Sequence, residues 1–295
     1  MEAERAALPR QATVADVVRD AVAGSVRRLL EHEQGARSGG DDEDVHQARV
    51  AVRRMRSDLR TFGAFVDRDW AAGLRAELRW LGGELGAVRD ADVLYARLGA
   101  HTDRLPEPER ELAARVVQRL VADRDDAHAR LVTAFGSARY SELRARLEEA
   151  ARRPRFTPRA TELAREALPA VVRRPWRRLR GAVAELGPVP TDEQLHAVRI
   201  RAKRARYAAE AVVPVLGRRA LRYAKSLAAL QDVLGEHQDA VVAARWLGET
   251  APQCPPEEAF AAGMLAEVEA ESARAARAAF PAAWAEVRDR RPTSW

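Results

Sequence analysis

The chain has 295 residues, of which 50 are basic and 44 are acidic, giving a formal net charge of +6. Its single cysteine, Cys254, excludes an internal disulfide, and no apolar run reaches the roughly 18 residues needed to cross a bilayer. Acidic residues stand where a secretory signal would need a basic start. We therefore expect a cytoplasmic protein that makes no contact with a membrane.

The chain is dominated by residues that favour helices: alanine, leucine, arginine and glutamate. Segments with the apolar–polar alternation of strands are scarce. Loop-forming stretches at 35–44, 154–159, 187–194 and 251–258 divide the chain. The pattern predicts helices at 13–34, 43–66, 69–100, 106–134, 138–151, 160–186, 192–216, 218–250 and 256–279. Long helices joined by short loops favour antiparallel bundles, so the predicted fold class is all-α.

Several residues mark where these helices should start or bend. Thr13, Asp42 and Thr191 precede predicted helices, and their side-chain oxygens can accept hydrogen bonds from the free amides of a first turn. Pro169 and Pro214 fall inside predicted helices, where proline lacks a donor and clashes with the preceding turn. We therefore expect a kink at each of these two prolines.

A basic motif occurs twice, at an offset of 150 residues. Residues 46–56 and residues 196–206 both read His-x-x-Arg-(Val/Ile)-x-x-(Arg/Lys)-Arg-x-Arg. On a helix, the positions that step by three and four from each histidine fall within an arc of roughly 80°, so each motif places its cations in one stripe. The opposite face carries apolar residues that predict the buried side of each helix: Ala48, Val52, Met55, Leu59 and Phe62 in the first copy, and Val198, Ala202, Ala205, Ala209 and Val212 in the second.

A second motif also occurs twice. Residues 85–93 and 234–242 share the pattern Leu-Gly-x-x-x-Asp, with Asp90 and Asp239 at matching positions. Two motifs in the same order predict two similar substructures related by a pseudo-two-fold axis. Asp90 and Asp92 invite a metal-site interpretation, but residues two apart on a helix point in different directions. The interpretation that we favour pairs Asp90 and Asp239 with arginines that fix the bundle.

The basic stripes contain no acid until Glu210. Like charges three and four residues apart on a helix repel, at a cost on the order of a few tenths of a kcal/mol per pair. A partner with repeating negative charge would relieve this repulsion, and arginine binds phosphate oxygens through paired hydrogen bonds. The stripes therefore suggest a polymer of phosphates. The alternative is a solvated face whose arginines pair with acids of a neighbouring helix.

The doubled basic motif, the repeated Leu-Gly-x-x-x-Asp and the closing Arg-Pro-x-x-Trp at 291–295 resemble the CHAD family, the conserved histidine α-helical domain. The resemblance implies a single domain over 1–295, with a first helical repeat at 12–152 and a second at 160–295. It implies two four-helix-bundle-like repeats of long antiparallel helices around a basic cavity. It also implies a stand-alone module that binds inorganic polyphosphate, and other polyanions of similar charge, and that associates with polyphosphate granules.

The resemblance also implies which residues contact the anion. The candidates that match the motif are His46, Arg49, Arg53, Arg54, Arg56, Arg60, His196, Arg199, Lys203, Arg204 and Arg206. The following helices offer weaker candidates, for which solvated surface is the alternative: Arg75, Arg79, Arg222 and Lys225. Because Glu210 takes the position that Arg60 has in the first copy, the two halves of the site are expected to be unequal.

Each motif histidine lies in the first turn of its predicted helix. It either donates to phosphate at the head of the stripe or only bonds a neighbouring acid or backbone group. Nearby arginines lower the pKa of a histidine, while a bound phosphate raises it. If the histidines contact phosphate, polyphosphate binding should tighten modestly below neutral pH.

Three other functions compete with polyphosphate binding. A nucleic acid would be attracted by the same stripes, although single-strand binders usually interleave aromatic residues, and Tyr207 is the nearest aromatic here. A helical scaffold that docks acidic proteins would use the same charges. A metal-dependent phosphohydrolase finds little support, because no phosphate loop, nucleotide fingerprint or paired metal ligands occur. We therefore expect a protein that is not an enzyme, with no catalytic residues, no cofactor and no metal.

Overall fold

A computed structural model describes residues 8–38 and 42–292, with the backbone alone at residue 42. The fold is all-α, as predicted, and within these residues β pairing is limited to two isolated bridges, Thr13 with Leu163 and Val66 with Phe156. The side chain of Asp42, which was predicted to form a cap, and the terminal tryptophan of the Arg-Pro-x-x-Trp motif lie outside this described part.

The described residues form eleven α-helices in chain order. They are α1 Val14–Ser38, α2 Asp42–Thr61, α3 Arg68–Thr102, α4 Glu109–Gln118, α5 Leu120–Phe135, α6 Ala138–Arg152, α7 Ala164–Ala184, α8 Asp192–Ala211, α9 Val213–Leu216, α10 Arg218–Thr250 and α11 Pro256–Asp289. Short 3-10 helices, Pro158–Thr161 and Ala251–Gln253, lie in two of the connections.

Two predicted helices differ from the observed ones: the first ends early, and the second is two separate helices. The helix predicted at 43–66 stops at Thr61, because the chain turns at residues 62–65 and Val66 then pairs with Phe156. The helix predicted at 106–134 is two helices, α4 and α5, which meet at Arg119. The amide of Arg119 donates to the carbonyl of Val116, a tight turn that no proline or glycine marks in the sequence.

The prolines that fall inside predicted helices have different effects on those helices. The helix predicted at 192–216 is broken before Pro214, which cannot donate to the preceding turn, so α8 ends and the short α9 begins. By contrast, α7 runs through both Pro169 and Pro175. The last helix was predicted to end at 279, yet α11 continues through Pro281.

The predicted caps at Thr13 and Thr191 are confirmed. The hydroxyl of Thr191 accepts from the amide of Gln194, whose side-chain oxygen accepts from the amide of Thr191 at 2.9 Å. The hydroxyl of Thr13 likewise accepts from the amide of Asp16. These reciprocal bonds satisfy first-turn donors and fix where α8 and α1 begin.

The predicted buried faces of α2 and α8 are also confirmed, since every residue of both apolar stripes is buried. The main apolar cluster draws on both halves of the chain, and a smaller cluster joins the ends of α3 and α10 to α4 and α11. The linker at 154–159 therefore does not divide the core. The two-repeat arrangement with its pseudo-two-fold axis stays a prediction.

Candidate anion-binding site

The two basic helices, α2 and α8, pack against each other. Cations from the two stripes come close together at this contact, since Arg49 and Arg53 of α2 act on the charge of Lys203 of α8. The guanidinium carbon of Arg53 lies 5.7 Å from the centre of the Tyr207 ring. Nη2 of Arg54 lies 3.7 Å from Oε2 of Glu210. The fold thus joins residues that are about 150 positions apart in the chain.

Four cations from the two stripes, Arg49, Arg53, Arg199 and Lys203, form what we call the central cluster. The pKa of Lys203 falls from 10.5 to about 8, first because the amine is buried and then because the three arginines repel its charge. Nε of Arg53 and Nε of Arg199 are buried and find no hydrogen-bond acceptor among the described residues. An anion beside these four cations would reduce the repulsion between them.

Five further arginines, Arg56, Arg60, Arg75, Arg79 and Arg204, form what we call the flanking cluster. Burial lowers the pKa of Arg56, and Arg79 and Arg75 lower it further. Burial also lowers the pKa of Arg60, followed by repulsion from Arg204 and then from the other three arginines of the cluster. The two candidates on α3 therefore lie beside the basic stripe of α2.

An arginine–aspartate pair connects the two repeated motifs in each half. Nη2 of Arg49 donates to Oδ1 of Asp90 at 2.8 Å. At the matching positions, Nη2 of Arg199 lies 4.0 Å from Oδ1 of Asp239. The prediction that these aspartates pair with arginines is confirmed, and each pair holds the first arginine of its stripe in place.

The glycine of each Leu-Gly-x-x-x-Asp motif lies next to the same arginine. A Cβ atom added to Gly86 would be 3.9 Å from Nε of Arg49, and one added to Gly235 would be 3.8 Å from Nη2 of Arg199. Each glycine therefore leaves its arginine a place at van der Waals distance from the helix backbone. The motif supplies the carboxylate and also the room for its arginine partner.

Asp90 and Asp92 are held by different arginines rather than directed at one point. Asp90 accepts from Arg49, whereas Oδ1 of Asp92 accepts from Nε of Arg124 at 2.7 Å. In the described ranges, no three histidine, cysteine or carboxylate side chains are grouped as metal ligands would be. Both aspartates thus take part in ion pairs between helices.

Glu210 neutralises part of the second stripe. Its Oε1 accepts from Nε of Arg206 at 2.6 Å, and its Oε2 faces Arg54. Tyr207 lies below two guanidinium groups, with the carbons of Arg53 and Arg206 at 5.7 Å and 5.8 Å from its ring centre. Two of the candidate residues, Arg54 and Arg206, are therefore already paired with an acid.

The two motif histidines have different surroundings. The pKa of His46 is lowered mainly by burial and then by the charge of Arg89, while Glu43 opposes the effect. Nδ1 of His196 forms a 2.5 Å hydrogen bond with Oε1 of Gln238. Arg89 and Gln238 precede the motif aspartates at matching positions. Sequence reasoning missed Arg89, although its place beside the motif aspartate could have indicated it.

Arg222 and Lys225 lie apart from the two clusters. Both side chains are exposed near the start of α10. Neither contributes to the lowered pKa values of Arg56, Arg60 or Lys203. The α3 candidates therefore have geometric support that these two α10 candidates lack.

A buried charged network that no motif indicated joins α3 to α10 and α11. Nε of Arg97 donates to Oε2 of Glu269 at 2.7 Å, and its two Nη groups donate to Glu236 at 3.0 Å and 2.7 Å. Nδ1 of His101 lies 2.7 Å from the other oxygen of Glu269, whose side chain is fully buried. The network fixes the helix ends that carry the second apolar cluster.

Comparison with known proteins identifies the family. The CHAD domain profile matches residues 20–248. The chain belongs to the CHAD domain family. Two uncharacterized proteins of Mycobacterium tuberculosis, MT2285 of strain CDC 1551 / Oshkosh and Rv2226 of strain H37Rv, are each 33% identical to it over 282 residues, covering 91% of this chain and 52% of the relative. The chain thus spans about half the length of these curated relatives.

Two solved structures share this CHAD fold. PptA from Streptomyces chartreusis superposes with a TM-score of 0.77 at 27% identity, covering 93% of this chain and 100% of that one. The CHAD domain from the plant Ricinus communis superposes with a TM-score of 0.72 at 30% identity, covering 95% and 96% of the two chains. Within residues 8–38 and 42–292, no helix combines the length and apolar character that a membrane span requires.

Proposed function

We propose that this CHAD protein binds inorganic polyphosphate, without cleaving it, through the central cluster and the flanking cluster. The observation that carries the proposal is the meeting of Lys203 with Arg49, Arg53 and Arg199 in one cluster, where burial of the amine and then the three arginine charges lower the lysine pKa to about 8. A polymer with negative charge on every unit would relieve this repulsion along the whole row of cations. The family resemblance supports polyphosphate as that polymer.

The candidate residues are expected to contribute unequally. The central cluster supplies the strongest contacts, because it gathers four cations whose mutual repulsion a bound anion would relieve. Arg54 and Arg206 contribute less, since Glu210 already pairs with both. The histidines bind only secondarily, at the heads of the stripes.

The decisive test measures the affinity for polyphosphate of one defined length. It compares the wild-type protein with the Arg53→Gln/Lys203→Gln double variant. We expect at least a tenfold loss, together with a shallower dependence of affinity on salt, because two phosphate contacts disappear. The matched control is Arg115→Gln with Arg130→Gln, which removes the same charge from exposed positions on α4 and α5. Equal losses in the two double variants would reduce the proposal to a general charge effect and contradict it.

Competition between nucleic acids and polyphosphate tests whether a nucleic acid is the ligand instead. Tyr207, the aromatic residue nearest to the stripes, is half-buried and has the guanidinium carbons of Arg53 and Arg206 at 5.7 Å and 5.8 Å from its ring centre, so it offers little free surface for stacking on bases. We expect duplex DNA and RNA to displace polyphosphate poorly at equal phosphate concentration. Efficient displacement would overturn the assignment of polyphosphate as the ligand.

The claim that the protein does not cleave its ligand has its own test. Polyphosphate of defined length is incubated with the protein and magnesium or manganese, and its length is followed by gel electrophoresis. We expect the chain length to stay constant. Shortening that depends on the protein would establish a phosphohydrolase instead.

A further inference from the structure

A cavity of about 850 Å³ opens beside the flanking cluster, between the end of α2, α7 and α8. Its volume lies within the range of pockets that hold small ligands. Six arginines and one glutamate are among the residues that line it: Arg60, Arg159, Arg174, Arg178, Arg201, Arg204 and Glu185. Arg60 and Arg204 also belong to the flanking cluster, so the cavity continues directly from it.

The arginines of the cavity differ in how they are held. Arg159 donates to Glu162 at 2.7 Å, and Arg201 donates to a backbone carbonyl of α8 at 3.0 Å. Arg174 and Arg178 lie one turn apart on α7 and therefore share a helix face. Within the described ranges, no carboxylate forms an ion pair with either of them. The α7 wall thus presents positive charge that the protein itself does not neutralise.

The mouth of the cavity differs from the matching place in the other half of the chain. At the 150-residue offset, Arg54 corresponds to Arg204, and Arg60 corresponds to Glu210. Arg54 meets Glu210 at 3.7 Å, so that pair attracts. Arg204 and Arg60 are both cationic, and Arg204 is the strongest charge that lowers the pKa of Arg60. One side of the α2–α8 contact is neutralised by an acid, whereas the other stays cationic.

We propose that this cavity is a second subsite for the phosphate chain, entered from the flanking cluster between Arg60 and Arg204, with Arg174 and Arg178 binding phosphates that lie beyond the central cluster. Glu210 closes the matching route on the opposite side. This inference rests on the proposed function, and it specifies that the bound polymer extends from the flanking cluster toward α7.

The test measures the affinity of the Arg174→Ala/Arg178→Ala double variant and of the wild-type protein for polyphosphate. One polyphosphate length is used, long enough to reach both clusters. Loss of two phosphate contacts should reduce the slope of log affinity against log salt by about 1.4. At about 0.1 M salt this change corresponds to roughly 25-fold weaker binding. The control is Arg177→Ala with Arg180→Ala, which removes equal charge from exposed positions of α7 that do not line the cavity. Thermal unfolding verifies that both variants fold.

The outcomes separate this inference from the proposed function. If the wild-type protein binds and the Arg174/Arg178 variant binds equally well, or no worse than the Arg177/Arg180 control, the subsite is refuted while polyphosphate binding stands. If the wild-type protein does not bind, the proposed function itself fails. Glu210→Gln should strengthen binding, because it releases two arginines to the ligand, and unchanged or weaker binding would refute the closed route.

Discussion

Lys203 should make polyphosphate binding depend on pH in a range where ordinary lysines stay charged. Its pKa is about 8 because the amine is buried and because Arg199, Arg53 and Arg49 repel its charge, while Asp239 opposes the effect. A bound polyanion places negative charge beside the amine and raises its pKa, so binding takes up a proton at alkaline pH. The affinity should therefore fall as the pH rises through about 8.

The size of this effect follows from the protonated fraction of Lys203. With a pKa of about 8, roughly nine-tenths of the free molecules carry the charged amine at about pH 7, and roughly one-tenth at about pH 9. If the bound form keeps the amine charged throughout, affinity falls roughly tenfold between these pH values, or about 1.4 kcal/mol. The arginines of both clusters stay charged over this range and contribute no such change.

Calorimetric titration with polyphosphate of one length, at constant ionic strength and at about pH 7, 8 and 9, measures the effect. Constant ionic strength is needed because salt screens the same charges. Lys203→Arg is the matched control, since arginine keeps its charge and its affinity should change little with pH. The same pH dependence in the wild-type protein and in Lys203→Arg would refute the reasoning.

The stability of the free protein should change with pH in the opposite direction to the affinity: it should rise as Lys203 loses its charge. Because the pKa of Lys203 is lower in the folded state than its ordinary 10.5, the unfolded chain holds more protons between about pH 8 and pH 10.5. The free energy of unfolding therefore rises with pH across that window, and the full repulsion is present below it. The difference corresponds to about 3 kcal/mol, which solvent around a partly exposed amine reduces to about 1–2 kcal/mol. Lys203→Gln should gain this amount at neutral pH in chemical unfolding without ligand, and equal or lower stability would contradict it.

Two other side chains give predictions of a different kind. The wild-type protein should bind polyphosphate modestly more tightly as the pH falls from about 7 to about 5.5, because burial and Arg89 lower the pKa of the free His46 and a bound phosphate would raise it. His46→Gln should remove this gain in affinity. An identical gain in the variant would leave His46 with only a structural role. Arg97→Met should lower the free energy of unfolding by about 3–5 kcal/mol, because it removes the arginine from one oxygen of the fully buried Glu269 carboxylate and leaves His101 at the other. The control Arg104→Met breaks an exposed pair with α11 and should cost about 0–1 kcal/mol, so similar losses in the two variants would contradict this account.

The helical class and the buried faces could be predicted because both depend on periodicity, which is local. The ends of helices were less predictable because they depend on tertiary burial. The break at Arg119 carries no proline or glycine, and α11 continues through Pro281 although the helix was predicted to end at 279. Phe280 and Val287 flank that proline and are both buried, and their burial outweighs the hydrogen bond that Pro281 cannot make.

The stripes of the candidate site could be predicted for the same reason, but their pairing could not. The crossing of α2 and α8 decides that Tyr207 meets Arg53 and that Glu210 meets Arg54, and no local pattern encodes that crossing. The charge that lowers the pKa of His46 comes from Arg89 on α3, again across a helix contact. A repeat identifies equivalent positions, whereas the fold decides which of them touch.

The two repeated motifs act as one unit in each half of the chain. Arg49 is held by Asp90, and its match Arg199 faces Asp239, so these two guanidinium groups are oriented before any ligand arrives. Lys203, which lies near both, instead retains a repelled charge. Oriented donors would lower the cost of ordering a flexible polymer, and a bound polymer would neutralise the repelled charge. Under the proposed function, the arrangement that weakens the free protein at Lys203 would therefore favour a bound polyanion over an empty site.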